Sequence, residues 1–399
     1  MRPIWRRARF FIRLSLFHPS PVLLARIQQG NLKKAATHAS GGSVDARDVF
    51  HAWGHILAGY KPFLSIEVTR ECPLRCPGCY AYDPQHLGGG DTLRDLADFK
   101  GESLVQGILR VVDEYRPMHL SIVGGDPLVR YREMDQVLPE LMRRGIHVQL
   151  VTSAFRPISP EWTKHPLLNL TASIDGLQPE HDVRRAPATY DRILRNIAGH
   201  RVSIHCTVTA QMLQRDSYLQ EFLDFWSPRP EAKRVWFSIF TPQIGDTAAE
   251  IPAPAQRSFL IKELLRLRPL YPKLDMPDTI IREFARPPQS PRECIFARST
   301  ATVSADLKTR ITPCQFGGRP DCARCGCIAS MGLASVGHTR PLHGISLGTV
   351  MHASASIGDK VNRARVLYRR AKDRVAPMLS APAPRPAASA SSNPDEASG

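Results

Sequence analysis

The first forty residues lack acidic side chains and lack an uninterrupted hydrophobic run. Arg13 and His18 break the apolar stretch that begins at Ile4. What remains is too short to span a bilayer and has no clean hydrophobic segment of the kind that signal peptides carry. We therefore expect neither a transmembrane span nor a signal peptide in this segment.

The same segment is strongly basic. Lysine and arginine outnumber acidic residues 53 to 37 in the whole chain, a net charge of +16 that suggests an anionic partner. Half of the surplus lies in the first forty residues: Arg2, Arg6, Arg7, Arg9, Arg13, Arg26, Lys33 and Lys34. Read as a helix, Ile4–Phe17 is amphipathic, with arginines along one edge. It suits peripheral contact with a membrane interface, or else its apolar face packs on the folded domain.

Aromatic residues are scarce, at 7% of the chain, and no module with stacked aromatics on a basic sheet is evident. We expect no specific nucleic-acid partner. The scattered cysteines of a disulfide scaffold are also missing, because eight of the nine cysteines fall into two groups. The chain is long enough, and at 43% hydrophobic residues apolar enough, for a barrel-sized core. We predict a cytoplasmic protein, peripheral to the membrane if the N-terminal helix binds lipid.

The first cysteine group is Cys72, Cys76 and Cys79, which directly follows the strand-like run 63–69. A [4Fe–4S] cluster held entirely by protein takes four cysteines. Three local thiolates therefore leave either a distant fourth ligand or one iron free to bind a small molecule. A zinc or redox site is the alternative for such short spacings.

Strand-like and helix-like segments alternate from residue 61 onward. The strands are expected near 63–69, 118–123, 147–153, 168–175, 202–209 and 234–241, at a spacing typical of repeated βα units. Six units predict an open (β/α)6 barrel. Alternate strand positions are polar, as at Glu67, Thr171 and His205, which indicates a solvated lumen rather than a filled one. Cys206 lies on the apolar register and is expected to be a buried core thiol.

The spacing Cys72-x-x-x-Cys76-x-x-Cys79 after a strand resembles the cluster loop of the radical S-adenosylmethionine (radical SAM) superfamily. Gly124-Gly125-Asp126-Pro127, after the next strand, resembles its GGEP motif. The resemblance covers roughly residues 60 to 245. It implies a partial (β/α)6 barrel, a [4Fe–4S] cluster with three cysteine ligands, and S-adenosylmethionine on the free iron. One electron, from a flavodoxin- or ferredoxin-type donor, would cleave S-adenosylmethionine to a 5′-deoxyadenosyl radical.

The resemblance also implies roles for residues at the carboxyl ends of the strands, where barrel active sites lie. The segment Gly124–Pro127 would meet the methionyl amino group, and Ser173 and Asp175, in Ser-Ile-Asp-Gly, would lie near the ribose. Arg185 resembles the arginine that meets the carboxylate, with Arg184 as the alternate. Gly78 stands where the family usually has an aromatic residue, and we assign that adenine contact to Tyr80.

Further lumen contacts are predicted from strand position: Ser153 with Thr152, and Thr207 or Thr209. Glu67 and His205 are the ionisable groups on the lumen register. Either binds substrate or moves a proton, or else forms a buried ion pair.

The second cysteine group comprises Cys294, Cys314, Cys322, Cys325 and Cys327. Two strand-like runs, 301–304 and 310–312, look like a hairpin between the first two. The arrangement resembles the SPASM or twitch extensions of radical SAM enzymes, which implies an auxiliary [4Fe–4S] cluster. The usual glycine before the second cysteine is missing, and Cys325-Gly-Cys327 is closely spaced. A structural zinc site is the alternative.

We divide the chain into six parts. They are a basic extension with an amphipathic helix (1–60), the barrel (61–250), a linker with a helix (251–290), the cysteine-rich unit (291–345), a basic terminal helix (346–375), and a disordered tail (376–399).

The leading functional prediction is a radical SAM enzyme acting on a small-molecule or lipid substrate. The basic amphipathic N-terminus favours a lipid or isoprenoid. A peptide-modifying maturase is the alternative enzyme, although no peptide-binding winged-helix segment is seen at the N-terminus. A non-catalytic iron–sulfur or zinc interaction protein is the alternative from another class.

Overall fold

The computed structural model describes residues 46–187, 190–340 and 344–379. The predicted helix Ile4–Phe17 lies outside these residues, as does the tail beyond residue 379. The strands are β1 (Phe63–Glu67), β2 (His119–Val123), β3 (His147–Thr152), β4 (Leu168–Ser173), β5 (Val202–Val208), β6 (Ala232–Ile239) and β7 (Thr300–Val303).

Helices alternate with these strands along the barrel and then follow one another in the C-terminal part. They are α1 (Ala46–Leu57), α2 (Gly101–Tyr115), α3 (Tyr131–Arg143), α4 (Glu180–Arg184), α5 (Tyr190–Ile197), α6 (Tyr218–Trp226), α7 (Pro254–Leu267), α8 (Asp278–Glu283), α9 (Ile295–Ser299), α10 (Ile328–His338) and α11 (Leu347–Leu379). The predicted strands agree with the first six to within two residues at either end.

All seven strands pair in parallel in one sheet of order β6-β5-β4-β3-β2-β1-β7. The sheet is open, as predicted for a partial barrel. The hairpin expected between 301–304 and 310–312 is present in short form, with an antiparallel bridge from Val303 to Arg310 and a hydrogen bond from the Ile311 N–H to the Thr302 carbonyl (3.0 Å). Its first arm, β7, also pairs with β1, which the sequence did not predict. Pairing with β1 satisfies the backbone groups of both strands along one edge of the sheet.

Each strand has an apolar face against the helices and a polar face toward the lumen. Leu64, Ile66 and Val68 are fully buried in the core, and Cys206 is buried there too, as predicted. Across the polar face, the Arg234 guanidinium donates to the Asn169 side-chain carbonyl oxygen (3.1 Å) and to Ser203 Oγ (3.0 Å). Burial of a leucine-sized side chain stabilises the fold by about 2 kcal/mol, so the apolar register fixes which face is outward.

The cysteine-rich unit contacts both edges of the open sheet. Its β7 lies on β1, and the chain then crosses to the carboxyl end of β6. There the Ile239 N–H donates to the Gly326 carbonyl (2.9 Å), and the Asp321 N–H donates to the Pro242 carbonyl (2.9 Å). The unit therefore lies over the end of the barrel at which the strands finish.

Helices α1 and α11 pack together at the periphery. Trp53 Nε1 donates to Ser354 Oγ (2.5 Å), and a side chain on Gly358 would collide with the Ile56 carbonyl. Phe50, Leu367 and Tyr368 on these helices are exposed. Within the described residues, no helix has the length and hydropathy that a bilayer crossing requires.

Candidate active site at the carboxyl ends of the strands

The loop that carries Cys72, Cys76 and Cys79 begins directly beyond β1. Leu74 is buried in the core and holds the start of the loop, and the Cys79 N–H closes a turn on the Cys76 carbonyl (3.3 Å). Burial raises the pKa of the Cys72 thiol to about 12, and the neighbouring sulfurs of Cys79 and Cys76 add to the effect. The Cys72 thiol therefore lies in a poorly solvated part of the loop that it shares with Cys76 and Cys79.

Gly78 explains why this loop has no aromatic residue before its third cysteine. Its φ is +63°, and a side chain there would begin 2.7 Å from the ring of Phe240, which is buried just beyond β6. Glycine is the residue that adopts this conformation without strain. The Phe240 ring thus fills the space beside the loop. The Tyr80 ring packs elsewhere, with its centroid 5.4 Å from that of Phe316 and 5.6 Å from that of His86. The predicted adenine contact of Tyr80 is not visible in this packing and stays a prediction.

The Gly124–Pro127 segment lies directly on the cysteine loop. A side chain on Gly124 would meet Glu67 at 2.1 Å, and one on Gly125 would meet the Glu71 carbonyl at 2.2 Å. Asp126 is buried and accepts four hydrogen bonds: from the Leu128 N–H (3.0 Å), the Thr152 hydroxyl (2.7 Å), the Ser153 N–H (2.8 Å) and the Ser153 hydroxyl (2.5 Å). Its carboxylate fixes the end of β3 against the motif.

Asp175 pairs with both candidate arginines. Its Oδ2 accepts from Arg184 Nε (3.1 Å) and from Arg185 Nε (3.0 Å), and its Oδ1 accepts from the Thr207 N–H (3.0 Å). Burial disfavours the charged carboxylate, but the two guanidinium groups outweigh it and lower the pKa of Asp175. Arg184 also donates to the Pro77 carbonyl (3.1 Å), which ties this pair to the cysteine loop.

Arg185 lies beside the cysteine loop, because the carbonyl of the next residue, Ala186, accepts from the Arg75 N–H (3.0 Å). Burial disfavours its charge, but Asp175 and the sulfurs of Cys76 and Cys79 outweigh burial and raise the pKa of Arg185. A fixed cation beside the cysteine loop is suited to an anionic group of a bound ligand. The structure thus places the sequence-predicted Arg185, Asp175 and cysteines together.

The lumen beside β4 and β5 is polar and contains His205. His205 Nε2 lies 2.8 Å from Ser238 Oγ, and burial lowers the pKa of His205 to about 4. Ser173 is paired in register with His205, and Thr207 follows on the same face of β5. At neutral pH the His205 side chain therefore offers a hydrogen bond without a charge.

All five C-terminal cysteines line one cavity beside the active site. Its other walls include Thr241, Phe296 and Phe316. Burial raises the pKa of Cys314 to about 12 and that of Cys322 to about 11, and the neighbouring thiols add to both shifts. Cys327 is buried, and its sulfur accepts a hydrogen bond from the Gln315 amide (3.3 Å).

Sequence reasoning missed His86, which lies with Glu67 between the two cysteine groups. His86 Nε2 is 2.9 Å from Glu67 Oε1, and both side chains are fully buried. Glu67 thus forms the buried ion pair that was one of the two predicted alternatives. His86 occupies an irregular loop, where neither strand nor helix periodicity signals burial.

Comparison with known families bears on the chemistry of this site. Residues 66–225 match the family model described as the Radical SAM superfamily. This part of the chain is thus a radical SAM domain. The domain indicates an enzyme, and the match spans the Cys72–Cys79 loop, the Gly124–Pro127 motif and the Asp175–Arg185 pair.

Solved structures resemble the chain at low identity. One is a crystal structure of Streptococcus suis SuiB bound to precursor peptide SuiA, with 15% identity, 82% of this chain and 76% of that chain covered, and a TM-score of 0.48. A second is Streptococcus suis SuiB bound to S-adenosylmethionine, with 15% identity, coverage of 70% and 68%, and a TM-score of 0.45. A third is TYW1 with a lysine-pyruvate adduct, with 14% identity, coverage of 52% and 72%, and a TM-score of 0.33.

The family implies a [4Fe–4S] cluster and S-adenosylmethionine, and the residues fit both. Three adjacent thiols at the end of β1 provide sulfur ligands, and Arg185 provides a cation beside them. Among the described residues, no group of three or more His, Cys, Asp or Glu side chains is arranged around a single metal ion. The ligands of a cube of four irons bind different iron atoms, so they need not converge on one point.

Proposed function

We propose that this radical SAM enzyme cleaves S-adenosylmethionine reductively at the Cys72/Cys76/Cys79 site and carries an auxiliary [4Fe–4S] cluster in its C-terminal cysteine cavity. The observation that carries the first part is the contact of the Arg184–Ala186 segment with the cysteine loop: Arg184 donates to the Pro77 carbonyl (3.1 Å) and the Arg75 N–H donates to the Ala186 carbonyl (3.0 Å). When bound, the cluster supplies the electron for the cleavage.

The chain's own residues would do the binding and orientation. Arg185 would pair with the carboxylate of S-adenosylmethionine through its guanidinium, while Asp175 holds that guanidinium from behind. The backbone of Gly124 and Gly125 would approach the methionyl amino group, since neither residue has room for a side chain. The neutral His205 would contact substrate by hydrogen bonding.

For the auxiliary cluster we propose Cys294, Cys314, Cys322 and Cys325 as ligands. All four line the same cavity, and burial together with neighbouring thiols raises the pKa of Cys314, Cys322 and Cys325. The sulfur of Cys327 already accepts a hydrogen bond from the Gln315 amide (3.3 Å). Four thiolates complete a cube, so Cys327 is left over.

Metal analysis of anaerobically purified protein tests this assignment. We expect about eight irons per chain, with four in each cube. Replacing Cys314 by alanine should remove about four of them, whereas the matched variant Cys327→Ala should keep all eight. About four irons with one zinc in the wild-type protein would instead establish the zinc site.

We further propose a lipid-class substrate taken from an anionic membrane surface. In the described residues, α1 and α11 expose Phe50, Leu367 and Tyr368, and Arg365 on α11 lies over the Tyr60 ring at 4.0 Å. Aromatic and basic side chains together suit a membrane interface. The basic amphipathic segment Ile4–Phe17 precedes them in the sequence. A peptide substrate is the alternative, and a product map from a gene deletion distinguishes the two classes.

Deletion of residues 1–18 is expected to reduce binding to anionic vesicles while leaving substrate-free cleavage of S-adenosylmethionine intact. Each basic residue near such a surface contributes about 1 kcal/mol, and salt screens the attraction within about 10 Å at 0.1 M. Co-sedimentation across a salt series, with a thermal melt of the same protein, measures both. Unchanged vesicle binding together with a lowered melting temperature would mean that the segment packs on the barrel instead.

A further inference from the structure

The buried pair of Glu67 and His86 has two distinct partners beyond itself. His86 Nδ1 lies 2.9 Å from the Phe316 carbonyl, and the Ser304 hydroxyl donates to Glu67 Oε2 (2.6 Å). A carbonyl oxygen only accepts, so Nδ1 carries a hydrogen. Nε2 and Glu67 share a second proton. Every polar atom of the pair thus has a partner.

Stability alone is a poor reason for such a pair. Apolar replacements of a buried ion pair are often neutral or stabilising, because desolvation offsets the attraction. Neither side chain is exposed, so neither can touch a substrate. The pair is instead notable for its position between the two segments that carry the cysteines.

The pair joins the two cysteine-bearing parts of the chain. Glu67 ends β1, from which the Cys72–Cys79 loop departs, and His86 follows that loop. Ser304 directly follows β7, and Phe316 lies two residues beyond Cys314. The hydrogen bonds therefore connect the loop of the first metal site to the loop of the second.

The two loops also meet at backbone distance around this pair. A side chain on Gly317 would begin 1.8 Å from the His86 carbonyl oxygen, and one on Gly318 would begin 2.6 Å from the Gln85 carbonyl oxygen. Both glycines have positive φ. The Tyr80 ring covers the contact edge-on to Phe316. The Cys314 loop thus rests directly on the chain that follows Cys79.

We propose that His86 is a positioning residue that holds the Cys314 loop against the Cys72–Cys79 loop, so that the C-terminal metal site assembles only on the completed barrel. The identity of the metal rests on the proposed function, but the positioning role does not. The hydrogen bond from His86 Nδ1 to the Phe316 carbonyl positions the loop that carries Cys314. The contact between His86 Nε2 and Glu67 positions the His86 ring itself.

The test measures metal at each site in two independent variants. In His86→Gln, the amide still donates to Glu67, but the donor to Phe316 is lost. In Gly317→Ala, the ion pair is kept and the loops are forced apart. The control is Gly88→Ala, where φ is also positive (+79°) but the space is open.

We expect both test variants to weaken the second site by about 10- to 100-fold, the usual effect of losing an outer hydrogen bond at a metal site. The spectroscopic signal of the second site should fall in both test variants, while the signal of the first cluster stays at the wild-type level. In the control, both signals should stay at the wild-type level. Full second-site metal in both test variants overturns the proposal, as does an equal loss from both sites with a lowered melting temperature. If His86→Gln does not fold, Gly317→Ala decides. If the wild-type second site holds zinc, the auxiliary cluster is wrong, and selective loss of zinc still supports the positioning role.

Discussion

Replacing Cys76 by alanine is expected to leave the barrel folded and to abolish formation of 5′-deoxyadenosine from S-adenosylmethionine. Two thiolates do not retain a cube that also keeps one iron open. The Cys76 side chain is only partly buried, so its loss leaves no large cavity. Chromatography of the reaction with dithionite, together with a thermal melt, measures both properties.

The matched control is Cys206→Ala. Cys206 is fully buried in the core, where its sulfur lies 4.0 Å from that of Met212, and its loss should cost about 1 kcal/mol of stability without affecting cleavage. If Cys76→Ala forms 5′-deoxyadenosine at the wild-type rate, the assignment of the cluster to this loop is wrong.

The Asp175→Asn variant is expected to lose about 3 kcal/mol of unfolding free energy and most of its affinity for S-adenosylmethionine. Removal of one partner from a buried pair costs about 3–5 kcal/mol, and we use the low end because the two arginine side chains remain 14% and 16% exposed. Without the Asp175 carboxylate, the Arg185 guanidinium loses the group that now holds it in place. Urea unfolding and isothermal titration with S-adenosylmethionine measure the two effects.

The pH dependence of the stability has a definite sign. The pKa of Asp175 is lowered in the folded protein, so its contribution is complete above the unfolded pKa of about 4 and is lost as the pH falls toward the folded value. The control is Asp113→Asn. Asp113 Oδ1 lies 2.8 Å from an Arg144 guanidinium nitrogen in a surface ion pair, so this substitution should lower the free energy of unfolding by less than about 1 kcal/mol. Equal effects of the two substitutions would show that the Asp175 pair has no special role.

Local patterns explain why so much of the barrel could be predicted. Strand alternation depends on neighbours two residues apart, so the polar and apolar positions of a strand can be recognised from a short stretch of sequence. The cysteine loop was recognisable because its three ligands lie within eight residues. These signals are short in sequence, and the six predicted barrel strands form where they indicate.

The remaining features depend on contacts between distant parts of the chain. Ser304 and Glu67 are 237 residues apart in sequence, and His86 and Phe316 are 230 apart. No periodicity marks β7 as the partner of β1, so the sequence predicted the hairpin there but not its pairing with the sheet. Likewise, only the fold shows that Phe240 fills the space beside Gly78.

The most direct test is anaerobic reconstitution of the full chain with iron and sulfide, followed by S-adenosylmethionine and dithionite. Reductive cleavage at the Cys72/Cys76/Cys79 site predicts 5′-deoxyadenosine in the wild-type reaction and none in Cys76→Ala. Absence of 5′-deoxyadenosine from fully clustered wild-type protein would contradict the proposed chemistry.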